Sequence, residues 1–122
     1  MFGKILPAND GSDPAFRALA LALDIAKQNS AALHVVCVEE VPYMPEHIEE
    51  VREEVREEVR VAGRRFHGVL QKARSLAQQH RIEIETHVQA GHPVRTIVDL
   101  ANELGADLLV IGATGHSQLY SA

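Results

Sequence analysis

Apolar residues recur along this chain in two rhythms, and their alternation lays out the fold before any single residue is considered. A short apolar patch, Lys4 to Asn9, stops at the turn-forming cluster Asp10-Gly11-Ser12-Asp13-Pro14. Phe16, Leu19, Ala20, Ala22, Leu23 and Ala26 then follow at helical spacing through Lys27, and Asn29-Ser30 marks an end. Pro14 suits a first helical turn, where its missing N–H costs nothing, and Ser12 or Asp13 can cap the free amides. Ala32 to Val38 is a continuous apolar run rich in β-branched residues, the pattern of a strand covered on both faces. Val41-Pro42-Tyr43-Met44-Pro45 is expected to be a loop, because each proline removes a backbone donor.

From Glu46 to about His80 the rhythm is helical again. It opens on Glu-Glu-Val-Arg at 49–52, 53–56 and 57–60, and its apolar stripe continues through Ala62, Phe66, Val69, Ala73 and Leu76. A straight helix of that length would run roughly 52 Å, against a diameter of roughly 35 Å for a domain of this size. A break or a loosely ordered start is therefore expected between Pro45 and about Val59, with Gly63 and Gly68 as further weak points. Ile82 to Val88 alternates apolar and polar residues, as a half-exposed strand at a sheet edge does. Gly91-His92-Pro93 starts a helix carrying Val94, Ile97, Val98, Leu100, Ala101 and Leu104, and Gly105 is placed to close it. Asp107 to Ile111 is a second buried strand, ending in Gly112-Ala113-Thr114-Gly115. Strands alternating with helices predict an α/β fold, an open doubly wound parallel sheet with right-handed crossovers.

Composition narrows the function classes. The 122 residues suit one domain, and 46% apolar content is enough for a core. The net charge of −5 argues against a general nucleic-acid or anionic-membrane binder. Three Phe, two Tyr and no Trp offer no stacking platform for single-stranded bases. No apolar run approaches the roughly 20 residues of a membrane span, and the start lacks the apolar stretch of a signal peptide. With a single cysteine, Cys37, and no CxxC, a cytoplasmic location is expected. Cys37, inside an apolar strand, reads as an inert buried thiol.

Chemistry in such a sheet belongs beyond the carboxyl ends of the strands, where strand order reverses. Two loops are equipped for that place: Asn9-Asp10-Gly11-Ser12-Asp13, and Gly112-Ala113-Thr114-Gly115-His116-Ser117. Glycines admit close backbone approach, and a helix N-terminus after the second loop would attract an anion. Taken singly, DGS reads as a turn with a helix cap, and GxxG is weaker still. The seven histidines show no HExxH or paired ligand spacing, so no metal site is expected. No Lys lies in the glycine loop as a P-loop requires, and no base–nucleophile pair is evident, so the chain is read as a non-enzyme.

Together, Lys4-Ile5-Leu6-Pro7-Ala8-Asn9-Asp10-Gly11-Ser12, Gly91-His92-Pro93 and Ala106-Asp107-Leu108-Leu109-Val110-Ile111-Gly112-Ala113-Thr114-Gly115-His116 make the chain resemble the universal stress protein family from end to end. The resemblance implies the adenine-nucleotide α-hydrolase-like, Rossmann-like sheet with strand order 3-2-1-4. A fifth strand normally follows the fourth, and residues 1–122 would form one such domain lacking that strand and its C-terminal end. One branch of the family binds ATP through Gly-x2-Gly-x9-Gly-(Ser/Thr) and an Asp after the first strand. By that resemblance Asp10 meets the ribose, Ala8 and Asn9 wall the base, and the backbone near Val38 bonds the adenine edge. Gly112 and Gly115 approach ribose and phosphates, with Ala113 and His116 beside them, and Mg2+ enters only as the nucleotide's counter-ion. The third glycine of the motif falls past Ala122.

The leading expectation is a stress-response protein that binds ATP or another adenine nucleotide, regulates a protein partner and forms a homodimer. The alternatives are a non-nucleotide dimeric interaction module of the same fold, or a weak nucleotide hydrolase. A receiver domain fits poorly, because the third strand ends in His87-Val88-Gln89 rather than in a phosphoacceptor Asp. An apolar fourth strand without a neighbour further predicts dimerisation or aggregation through its open edge.

Overall fold

The computed structural model describes residues 2–40, 57, 60, 61, 63–113 and 116–121. Strands β1 (Lys4–Ala8), β2 (Ala32–Glu40), β3 (Ile84–Gly91) and β4 (Leu108–Ala113) run parallel in the order β3-β2-β1-β4. Helices α1 (Asp13–Asn29), α2 (His67–Gln79) and α3 (Pro93–Leu104) make the crossovers. The expected fold class and strand order are both present.

Side-chain alternation divides the sheet's two faces into two cores. Ile5, Leu33, Val35, Leu108 and Val110 face α1 and α2, where Leu19, Leu23, Ala73 and Ala77 meet them. Leu6, Val36 and Leu109 face α3, where Ile97, Leu100 and Ala101 close the other side. The helices end where their sequences say they should. Ser12 caps α1, its Oγ accepting the Ala15 N–H at 3.3 Å, and Gly105 closes α3 in the left-handed region at φ 70°.

One expectation needs correction. The edge of β4 is not open: β5 (His116–Ser121) pairs antiparallel with it, from Ala113↔His116 to Leu108↔Ser121. A strand therefore follows the second glycine loop, and the reason offered for dimerisation or aggregation through β4 is gone. Among the described residues the long third element is also interrupted. Residues 63–65 are helical, and α2 begins at His67 after a turn at Phe66, between the two glycines named as weak points. Most of the Glu-Glu-Val-Arg repeat and the proline loop lie outside the described residues. Within the repeat, Arg60 donates to Glu57 through Nε at 3.0 Å and Nη2 at 2.6 Å, one turn apart. That exposed contact holds the Glu57 carboxyl below its usual range.

Asp107, just before β4, ties the sheet to the chain's start by accepting the Gly3 N–H at 2.7 Å and the Lys4 N–H at 3.0 Å on one oxygen. Those two bonds, Gly3's first, hold its carboxyl below the usual value. A depressed folded-state pKa stabilises the fold above the unfolded value of about 3.9 and loses that contribution as pH falls through the folded value. Asp107→Ala is therefore expected to melt at a lower temperature than the parent at pH 7, with the gap narrowing as pH falls below the unfolded value of about 3.9. Thermal melts at pH 7 and below that value check this, and an equal gap at both would refute it.

Candidate functional site

One ladder bond and two overlapping Asx turns build the first loop beyond β1. Asn9 extends the ladder by donating its N–H to the Val36 carbonyl at 2.8 Å. Its Oδ1 accepts the Gly11 N–H at 2.8 Å, and Asp10 Oδ1 accepts the Ser12 N–H at 2.9 Å. Each is an Asx turn, in which a side chain stands in for a backbone acceptor. Gly11 sits at φ +90°, and a Cβ there would come within 3.0 Å of Val69 Cγ2. The loop is thus held before any ligand arrives, and Asp10 keeps one carboxylate oxygen outside its own turn.

Beyond the carboxyl ends of β1, β2 and β4 lies a cavity of about 250 Å³. Its walls are apolar, from Ala8, Ala15, Val36, Val38, Ile97 and Ile111, with Pro93 at the start of α3. Asn9, Asp10 and Glu40 supply its polar groups, and Gly112 completes it. Asn9 is only 2% exposed, and its Nδ2 is buried with no hydrogen-bond partner among the described residues. A buried amide donor without an acceptor costs roughly 1–3 kcal/mol, which a ligand acceptor at this wall would recover. A second, more open hollow shares Asp10, Val38 and Glu40 and adds Glu39, Arg65 and Phe66. Arg65 is paired with Glu39 and lies over the Phe66 ring, 4.8 Å from its centroid.

The structure brings together Ala8, Asn9, Asp10, Val38 and Gly112 of the expected site residues. Ala113 and His116 are register partners at the end of β4 and β5, next to Gly112↔Ser117, and Gly115 lies outside the described residues. Gly112 also has a packing use. A Cβ on it would come within 2.5 Å of the Pro14 carbonyl oxygen and 2.7 Å of Ala15 Cα. Its missing side chain makes room for the first turn of α1. Sequence reasoning missed Glu40, Ile97 and Pro93. The signal was present in the rule that ligands sit beyond strand ends, since Glu40 ends β2 and Pro93 opens the helix after β3.

Cys37 is fully buried in a cluster with Phe66 and Leu70. Burial, aided by the negative charge of Asp10, pushes its thiol up to about 12, so it is protonated and unreactive at neutral pH. No described helix is long and apolar enough to cross a membrane.

Known proteins share both the sequence and the arrangement. The profile of the Universal stress protein family matches residues 1–122. Universal stress protein YxiE of Bacillus subtilis (strain 168) is 34% identical over 131 aligned positions, covering 98% of this chain and 84% of that protein. A crystal structure of a universal stress protein in complex with cAMP superposes with a TM-score of 0.64 at 27% identity, covering 88% of this chain and 70% of that one. UspA from Lactobacillus plantarum shares the fold, with a TM-score of 0.72 at 22% identity, over 93% of this chain and 80% of that one. With the sheet order, the strand-end cavity and the full-length match in agreement, the chain belongs to the universal stress protein family.

Proposed function

We propose that this protein is a stress-response regulator that binds an adenine nucleotide, with the base and ribose in the cavity beyond β1, β2 and β4. The observation that carries the reading is the orphaned Asn9 amide in an apolar slot whose mouth is Asp10. Apolar walls suit the faces of a base, the Asn9 Nδ2 offers it a donor, and the Asp10 carboxylate can accept from ribose hydroxyls. The cAMP complex of a relative makes adenine nucleotides the first class to try.

The nucleoside half fits better than the phosphate half. Asp10, Glu39 and Glu40 surround the opening, while Arg65 is engaged by Glu39. Affinity is therefore expected to come from base and sugar, with little gained from a longer phosphate chain and Mg2+ serving only as its counter-ion. Binding rather than turnover is the proposed activity, with the nucleotide altering contacts to a protein partner.

Calorimetry with cAMP, AMP and ATP against GTP tests this. Asp10→Ala removes one charged hydrogen bond and is expected to cost about 1.5–3 kcal/mol of affinity, with the fold retained. Heat-silent titrations with every adenine nucleotide would overturn the reading, and so would an Asp10→Ala protein that binds like its parent. The acidic opening favours a second reading, an interaction module of the same fold that uses no nucleotide. Denaturing freshly purified protein and analysing what it releases separates the two.

A further inference from the structure

β2 and β3 carry a second cluster, one residue pair below the cavity on the same face, since His87 is the register partner of the cavity-lining Val36. His34 and Glu85 are register partners on adjacent parallel strands, and His87 follows Glu85 on the same face. His34 Nδ1 lies 2.9 Å from His87 Nε2 and 3.3 Å from Glu85 Oε2. The ring centroids are 5.2 Å apart and the planes 22° from parallel, so with the nitrogens 2.9 Å apart the rings meet edge to edge. His34 is buried and Glu85 exposed, so the site has a fixed inner ligand and an adjustable outer one.

With both rings neutral, this arrangement leaves lone pairs unmatched. A proton on His34 Nδ1 must be shared between the His87 nitrogen and the Glu85 oxygen. A proton on His87 Nε2 instead leaves the His34 lone pair facing the Glu85 carboxylate. One cation among the three atoms would satisfy all of them. Ligand atoms at about 2.0–2.1 Å around a tetrahedral zinc lie about 3.3 Å apart. The His34–Glu85 pair already has that separation, and the His34–His87 pair reaches it when the half-buried His87 ring turns from its end-on contact and the nitrogens open by a few tenths of an ångström. Two imidazoles favour a borderline transition metal over magnesium or calcium, and a carboxylate completes a set known to hold zinc.

We propose that His34, Glu85 and His87 form a site for one divalent transition-metal ion of the zinc class, with water in the fourth position. It spans the edge strand β3 and its neighbour β2, and none of its three residues lines the nucleotide cavity.

The test uses the untagged full chain, stripped with chelator and titrated with CoCl2 and then ZnCl2. One cobalt per chain is expected, with the strong visible absorption of a four-coordinate ion, discharged by zinc. His87→Ala should abolish the one-equivalent binding, and Glu85→Gln should weaken it by tenfold or more. His67→Ala, on exposed α2, should leave it unchanged. Circular dichroism on each variant confirms the fold, and buried His34 is left intact for that reason. Absence of stoichiometric binding by the parent, or an unchanged isotherm in folded His87→Ala, would overturn the proposal.

Discussion

Gly112→Val is expected to destabilise the protein by about 3 kcal/mol or more, and Gly112→Ala by about 1–3 kcal/mol, the range for forcing atoms into a packed site. The atoms a Cβ would strike belong to the Pro14 and Ala15 backbone, so no rotamer change can make room. Either β4 moves away from α1 or the first turn of α1 shifts, and that turn carries the Ser12 cap and the anchor of the Asp10 loop. For a domain of this size the valine variant should lose on the order of 10 °C in Tm. Thermal and urea unfolding without ligand decide it. An alanine variant as stable as the parent would show that β4 and α1 separate freely here. The glycine's cost therefore falls on the fold before it falls on any ligand, and a binding defect in either variant must be corrected for unfolded protein.

Gly112 also shows where sequence reading reaches its limit. A glycine after a buried strand says that a backbone passes close to something, but not whether that is a phosphate or a neighbouring helix. The strands themselves were legible, because burial on both faces writes continuous apolar runs at 32–38 and 107–111 and a half-exposed edge writes the alternation at 82–88. β5 was not. His116 to Ser121 contains only Leu119 and Tyr120 as apolar residues and no β-branched one. The available hint was two residues, Thr114-Gly115, between the ends of β4 and β5, the length of a tight hairpin connection. The loop of Asn9, Asp10 and Ser12 was readable as a turn and cap, since its partners lie two or three residues away. The orphaned Asn9 amide was not readable, because burial depends on what packs from α3 and β2. The histidine cluster was hidden for the same reason. His34 and His87 are 53 residues apart, and only the parallel register of β2 and β3 brings them within 2.9 Å. Spacing rules for metal ligands on one helix or one turn cannot detect a pair made across strands.

Leu23→Ala is the second large effect expected, about 2–5 kcal/mol of lost stability. The buried stripe of α1 is Ala15, Ala18, Leu19, Ala22, Leu23 and Ala26. Four alanines let the helix lie close to the sheet, which leaves two fully buried leucines to fill most of the volume between them. Truncating one opens a cavity against Ile5, Leu33, Val35 and Val110, residues held in strands that cannot collapse into it. Against a total of about 5–15 kcal/mol for a typical domain, that loss should shift the urea midpoint strongly. It should nevertheless spare the site, because Leu23 packs on the α1 face while the cavity opens toward α3. Ile97→Ala is the contrast: Ile97 packs in the α3 core and also lines the cavity. Saturating nucleotide adds RT ln(1 + [L]/Kd) to the stability of whatever remains able to bind. The increment should be the same in Leu23→Ala as in the parent and smaller in Ile97→Ala. Urea unfolding of the three proteins with and without AMP measures it. A reduced increment in Leu23→Ala would mean that the two cores are coupled through the sheet and that Leu23 helps to shape a site it does not line.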